Sequence, residues 1–116
     1  MTRETDRELL EMAAKCLHNM RDPNFANYEV LDDCVCLELG NRRGAITSYW
    51  NPLTDDGDAL RLAVKLKLTP MMRNLGVDVV SLETTEAAYE RYRDDPCAAT
   101  RRAIVRAAAE IGRSKT

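Results

Sequence analysis

The sequence predicts an α+β fold, a three-layer α-β-α sandwich whose mainly antiparallel sheet of three to four strands has helices on both faces, in the order α-β-β-α-β-(β)-α. Three observations predict it. Apolar residues recur at helical spacing near both ends, as Leu9, Met12, Ala13, Cys16, Leu17 and Met20, and again as Cys97, Thr100, Ile104, Ala107, Ala108 and Ile111. Two short runs, Cys34-Val35-Cys36-Leu37-Glu38-Leu39, apolar at nearly every position, and the valine-rich Val77-Asp78-Val79-Val80-Ser81-Leu82, carry apolar residues on both faces, a pattern that asks for cover on both faces of a sheet. Between them Tyr49-Trp50-Asn51-Pro52 turns a strand sharply into a helix.

Thr5-Asp6-Arg7-Glu8 fits a capping box, so the first helix is expected over residues 6–20. His18 falls opposite its apolar stripe and is expected in solvent, where it complements the carboxyl end of the helix dipole. Residues 21–27 carry Pro23 and two Asn without periodicity and read as a loop. Extended structure follows over residues 28–39 with a turn at Asp32-Asp33. The segment Gly40-Asn41-Arg42-Arg43-Gly44 then has hairpin chemistry and leads into a strand over residues 45–50.

Pro52 cannot donate to a sheet ladder and biases Asn51 away from helical geometry, so pairing should stop there and a corner should form. Thr54 or Asp55 offers a side-chain oxygen to the free amides of a second helix, residues 55–66, and Asp55, Asp56 and Asp58 place negative charge at its start. A calcium loop needs a closing bidentate Glu at a fixed offset, and none stands there. Residues 68–72, with Pro70, Met71 and Met72, read as the turn that ends this helix, and the valine-rich residues 77–82 as a strand. Residues 86–93 have helix propensity, but Tyr89 alternating with Arg91 and Arg93 suits an edge strand, which is the reading taken. Asp95-Pro96 starts the last helix, expected to run to Gly112 with Arg102, Arg106 and Arg113 on its outer side. Arg101 lies nearer the core stripe and is expected to meet a carboxylate among residues 55–58.

A chain of 116 residues with 45% hydrophobic content suits one domain, residues 1–116. Lys+Arg 17 against Asp+Glu 19 argues against a surface built as a whole for phosphate backbones. No apolar run approaches the ~20 residues of a membrane span and no apolar segment follows the start, so a soluble, cytoplasmic protein is expected. The four cysteines read as reduced thiols filling core space. Cys34 and Cys36 point to one strand face about 6.5 to 7 Å apart, which suits packing better than metal, and a zinc site would need ligands imported from Cys16, His18 or Cys97. No metal or cofactor is expected.

Tyr49-Trp50-Asn51-Pro52-Leu53-Thr54-Asp55-Asp56-Gly57-Asp58-Ala59-Leu60-Arg61-Leu62 and Ala98-Ala99-Thr100-Arg101-Arg102-Ala103-Ile104-Val105-Arg106-Ala107-Ala108-Ala109-Glu110-Ile111-Gly112 together resemble the phage ABA sandwich domain, found in small proteins of tailed phages and prophages. The resemblance implies a three-layer fold, a phage or prophage origin in a bacterial host, and no established activity or catalytic residues. The chain is shorter than that family between Leu82 and Asp94, where the fourth strand falls.

For function, a single His expected in solvent and acids placed mostly at helix starts leave no nucleophile-base pair and no paired carboxylates for an enzyme. The second helix is apolar over more than half its circumference, wider than a sheet can cover. It therefore points to a protein-binding surface at Leu62, Leu66, Met71 and Met72, used by a second copy in a homodimer or by a host or phage protein. The loop over residues 21–27 is the alternative cover for it. A nucleic-acid surface on Arg102, Arg106 and Arg113, joined by Lys115, Arg42 and Arg43, is the rival reading; it lacks base-stacking aromatics.

Overall fold

The computed structural model describes residues 4–39 and 46–114. In chain order they form α1 (Asp6–Asn19), a 3-10 turn (Pro23–Phe25), β1 (Tyr28–Val30), β2 (Val35–Leu39), β3 (Ile46–Trp50), α2 (Asp56–Leu66), β4 (Leu68–Met72), β5 (Gly76–Ser81), β6 (Ala87–Arg91) and α3 (Pro96–Ser114). The fold is α+β. The hairpin expected over residues 40–44 lies outside the described residues.

Each helix starts where its cap is expected. Thr5 and Glu8 close a capping box, the Glu8 N–H donating to Thr5 Oγ1 at 3.1 Å and the Thr5 N–H to Glu8 Oε1 at 3.2 Å. These hydrogen bonds from Thr5 hold the Glu8 carboxyl below its ordinary pKa. Asp55 caps α2 by accepting from the Asp58 N–H at 2.8 Å, and Asp95 caps α3 by accepting from the Ala98 N–H at 3.1 Å.

The strands divide into two antiparallel sheets, β1-β2-β3 and β4-β5-β6, in place of the one sheet of three to four strands that the sequence predicts. The added strand is β4. Lys67 takes the left-handed conformation (φ 55°), which ends α2 and turns the chain straight into extended structure, so residues 68–72 are a strand and not a loose turn. Pro70 is accommodated because β4 is a sheet edge, where a missing donor costs least. Tyr28–Val30 likewise makes its own strand against β2, with the Leu31 N–H donating to Cys34 O at 2.8 Å across the Asp32-Asp33 turn.

Each of the two apolar runs buries one face fully and not two. In β2, Val35 and Leu37 are buried while Cys36 is half-buried and Glu38 exposed; in β5, Val77, Val79 and Ser81 are buried while Asp78 and Val80 are half-buried. Leu82 lies beyond β5 in solvent. Small and charged residues interleaved with the valines make these one-sided antiparallel strands. In β6, Ala88 and Glu90 face inward and Ala87, Tyr89 and Arg91 outward, the edge-strand alternation expected.

The last helix is the hub. It packs on α1, on α2 and on all three strands of the second sheet, while α1 reaches β1 and β2. Ala99, Ala103, Ile104, Val105, Ala107, Ala108, Ala109, Ile111 and Gly112 are all buried, a wider arc than the expected stripe, from which Cys97 is exposed and Thr100 only half-buried. Alanines let the neighbouring elements come close from several sides. Gly112 does not end this helix. It sits inside it, where a Cβ would lie 2.3 Å from Met12 O on α1. On α1 the buried set includes Leu10 and Ala14, and Met20 stands half in solvent.

Candidate functional site

The corner between β3 and α2 proves to be internal scaffolding. Trp50 is 6% exposed, its ring edge-on to Phe25 with centroids 4.8 Å apart, and Pro52 is fully buried. Asn51 ties the corner in several directions. Its N–H donates to Asp58 Oδ2 at 2.9 Å, its Oδ1 accepts from the Leu53 N–H at 2.9 Å, its carbonyl accepts from the Asp55 N–H at 2.9 Å, and its side-chain amide donates to Asp33 O. Arg101 reaches across from α3, donating from Nη1 to Asp56 Oδ1 at 2.6 Å and from Nε to Leu53 O at 2.9 Å.

All three aspartates therefore have structural work: Asp55 caps, Asp56 holds Arg101, and Asp58 accepts from Asn51 and from Arg61 Nη2 at 2.7 Å. Because Asp56 is largely in solvent, its ion pair is weak and the bond to the Leu53 carbonyl carries more. Arg101→Met is expected to cost about 1 to 2 kcal/mol and Asp55→Ala about 1 kcal/mol. Urea melts check both. An Arg101→Met protein as stable as its parent would show that the tie is idle.

A groove opens beside this corner, between α2, β4 and the start of α3. It has a volume of about 380 Å³ and is lined by Ala59, Leu60, Pro70, Met72, Tyr92, Cys97, Thr100 and Ile104, with Asp56 and Arg101 at its rim. Met72 sits within reach of two hydroxyls, Tyr92 Oη at 3.8 Å and Thr100 Oγ1 at 3.9 Å from its sulfur. Leu60 and Met72 are 64% and 63% exposed, and Val64, one turn along α2 from Leu60, is 68% exposed. Such a concentration of uncovered apolar side chains around a concavity marks a binding surface.

Of the four expected interface residues only Met72 lines it; Met71, its neighbour on β4, points to the opposite face of that strand. Leu62 and Leu66 are 1% and 6% exposed and belong to the core, because the inward stripe of α2 runs through Ala59, Leu62, Ala63 and Leu66. The outward apolar residues are Leu60 and Val64, with Met71 and Met72 on β4. The loop over residues 21–27 covers one flank of α2: Phe25 is buried, Lys65 pairs with Asp22, and the Lys65 ammonium sits 5.9 Å from the Phe25 ring centre. The flank with Leu60 and Val64 is left open. The signal for this is present in the sequence, since positions 60 and 64 form their own i,i+4 pair outside the 59, 62, 63, 66 stripe.

The basic residues of α3 are engaged within the chain. Arg102 meets Asp6 at 2.9 Å, Arg106 meets Glu90 at 2.5 Å and the Tyr89 carbonyl at 2.8 Å, and Arg113 meets Glu4 and Glu110. Their partners cancel much of the field that a polyanion needs. Lys115, Arg42 and Arg43 lie outside the described residues.

His18 is exposed, its Nδ1 2.8 Å from Phe25 O and its ring edge-on to Tyr28, so it fastens the end of α1 to the loop. Burial, and after it the Asp33 carboxylate, push the Cys34 thiol up. Cys16 is buried, Cys36 half-buried and Cys97 exposed, and among the described residues none of them forms a disulfide. Among the described residues no helix is long and apolar enough to cross a membrane.

The chain matches no family model, no curated protein and no solved structure.

Proposed function

We propose that this is a non-enzymatic protein-interaction module whose groove between α2, β4 and α3 receives an apolar segment of another protein. The observation that carries the reading is the groove itself, with its apolar lining and the exposed Leu60 and Met72 in it. Met72 supplies a flexible, polarisable wall that can adapt to more than one shape of guest side chain. The partner is a host or phage protein, or a second copy presenting an apolar side chain.

The resemblance to phage ABA sandwich proteins, the finer α-β-α layering and action in the cytoplasm of a bacterial host belong to the same proposal. They are supported by α3 lying against one face of the second sheet and by the corner and last-helix sequences. Nucleic-acid binding is the weaker reading, since Arg102, Arg106 and Arg113 each meet a carboxylate.

Selection from a random peptide library tests the proposal. Binders are expected to carry large apolar residues, to lose at least about tenfold in affinity against Leu60→Asp or Met72→Asp, and to bind an Arg102→Ala/Arg106→Ala protein unchanged. Failure to select any such peptide, together with DNA affinity that falls steeply with salt and vanishes in the double arginine variant, would move the site to α3.

A further inference from the structure

Among the described residues four strand edges border the two sheets, and three of them are blunted. β4 has Pro70 at its centre. β6 carries the inward-facing Glu90, held by Arg106, which also donates to the Tyr89 carbonyl at 2.8 Å. β1 is only three residues long, with the exposed Glu29 in its middle. Short edges, prolines and inward charges are the devices that keep sheets from joining edge to edge.

β3 has none of them. Ile46-Thr47-Ser48-Tyr49-Trp50 is uncharged, proline-free and β-branched or aromatic at four of its five positions, and β2 is its only strand neighbour among the described residues. Ile46 and Tyr49 are both about two-thirds exposed.

We propose that β3 pairs antiparallel with β3 of a second copy about a two-fold axis at Ser48, joining two three-stranded sheets into one of six. A two-fold sets identical strands against each other, so a strand meets its own charges; β3 carries none and meets no repulsion. In this register Thr47 faces Tyr49 of the second copy, and Ile46 faces the second copy's Trp50. Ile46 shares the inner face of the sheet with the buried Trp50 but is itself exposed, and the second copy would cover it. One strand and its side chains make a small interface, below the size of stable dimers, so the association is weak and reversible.

Sedimentation equilibrium of the full chain at tens to hundreds of micromolar tests this with Tyr49→Lys, Thr47→Glu and the double variant, both positions being exposed. The parent should dimerise weakly, and each single variant should weaken the dimer roughly three- to thirtyfold. The double variant should recover it, because the introduced carboxylate of each copy then faces the introduced ammonium of the other, twice across the axis. Leu60→Asp should leave the dimer unchanged, which separates this edge from the groove. A parent monomeric throughout the range, a dimer indifferent to both single variants, a double variant weaker than either, or a dimer abolished by Leu60→Asp would each overturn the pairing.

Discussion

Trp50→Ala is expected to cost about 3 to 5 kcal/mol of unfolding free energy, the largest loss of any single change considered. The indole is buried and packs edge-on against Phe25, which in turn meets Tyr28 with ring centroids 6.2 Å apart. Removing it strips one of the contacts that fix the loop after α1 to the first sheet, and leaves a hole that the hydrogen-bonded backbone around Asn51 cannot collapse to fill. Denaturant melts would show the midpoint falling with little change in slope. A near-neutral result would mean that the ring does not serve the core.

Gly112→Ala is expected to cost about 1 to 3 kcal/mol or more, against the usual preference of helices for alanine. Two effects compete here. Alanine gains about 1 kcal/mol of helix propensity over glycine, yet its methyl would lie 2.3 Å from the backbone oxygen of Met12, which cannot move unless α1 shifts as a whole. The steric term wins because its target is backbone. Gly57 supplies the contrast, since a Cβ there meets side-chain atoms only, the Arg61 guanidinium at 3.1 Å and Asp55 Oδ2 at 3.2 Å, so Gly57→Ala should cost less than Gly112→Ala. Equal responses of the two glycines to alanine would show that α1 and α3 do not cross closely at residue 112.

What is legible in the sequence follows from local chemistry. Thr5, Asp55 and Asp95 cap the helices they are expected to cap, Pro52 turns the chain, and Arg101 finds Asp56. These features depend on neighbours within a turn or two, or on a charge seeking its opposite. What is not legible depends on edges and phase. Pro70 disguises β4, because whether a proline interrupts a strand depends on whether that strand has a neighbour on each side, which sequence does not record. The runs at residues 34–39 and 77–82 look two-sided because valine and cysteine on an outer face are apolar without being buried.

The groove is half legible. The sequence shows that α2 has more apolar surface than one sheet can cover, but it points to Leu62 and Leu66, whereas the uncovered residues are Leu60 and Val64. An arc too wide for one partner contains two stripes, and a small difference in helix phase decides which of them faces inward. Cys97 and Thr100 fall in the core stripe of α3 by periodicity. They line the groove instead, beside Leu60 of α2 and Met72 of β4, with Cys97 exposed and Thr100 half-buried.

The most direct test of the account is an amide-resolved NMR titration of the labelled protein with a selected apolar peptide and, separately, with duplex DNA. Peptide-induced shifts are expected to concentrate at Leu60, Met72, Tyr92, Thr100 and Ile104, unaffected by salt, with no saturable response to DNA. Shifts confined to Arg102, Arg106 and Arg113 on adding DNA, weakening steeply as salt rises, with the groove silent toward peptide, would contradict it.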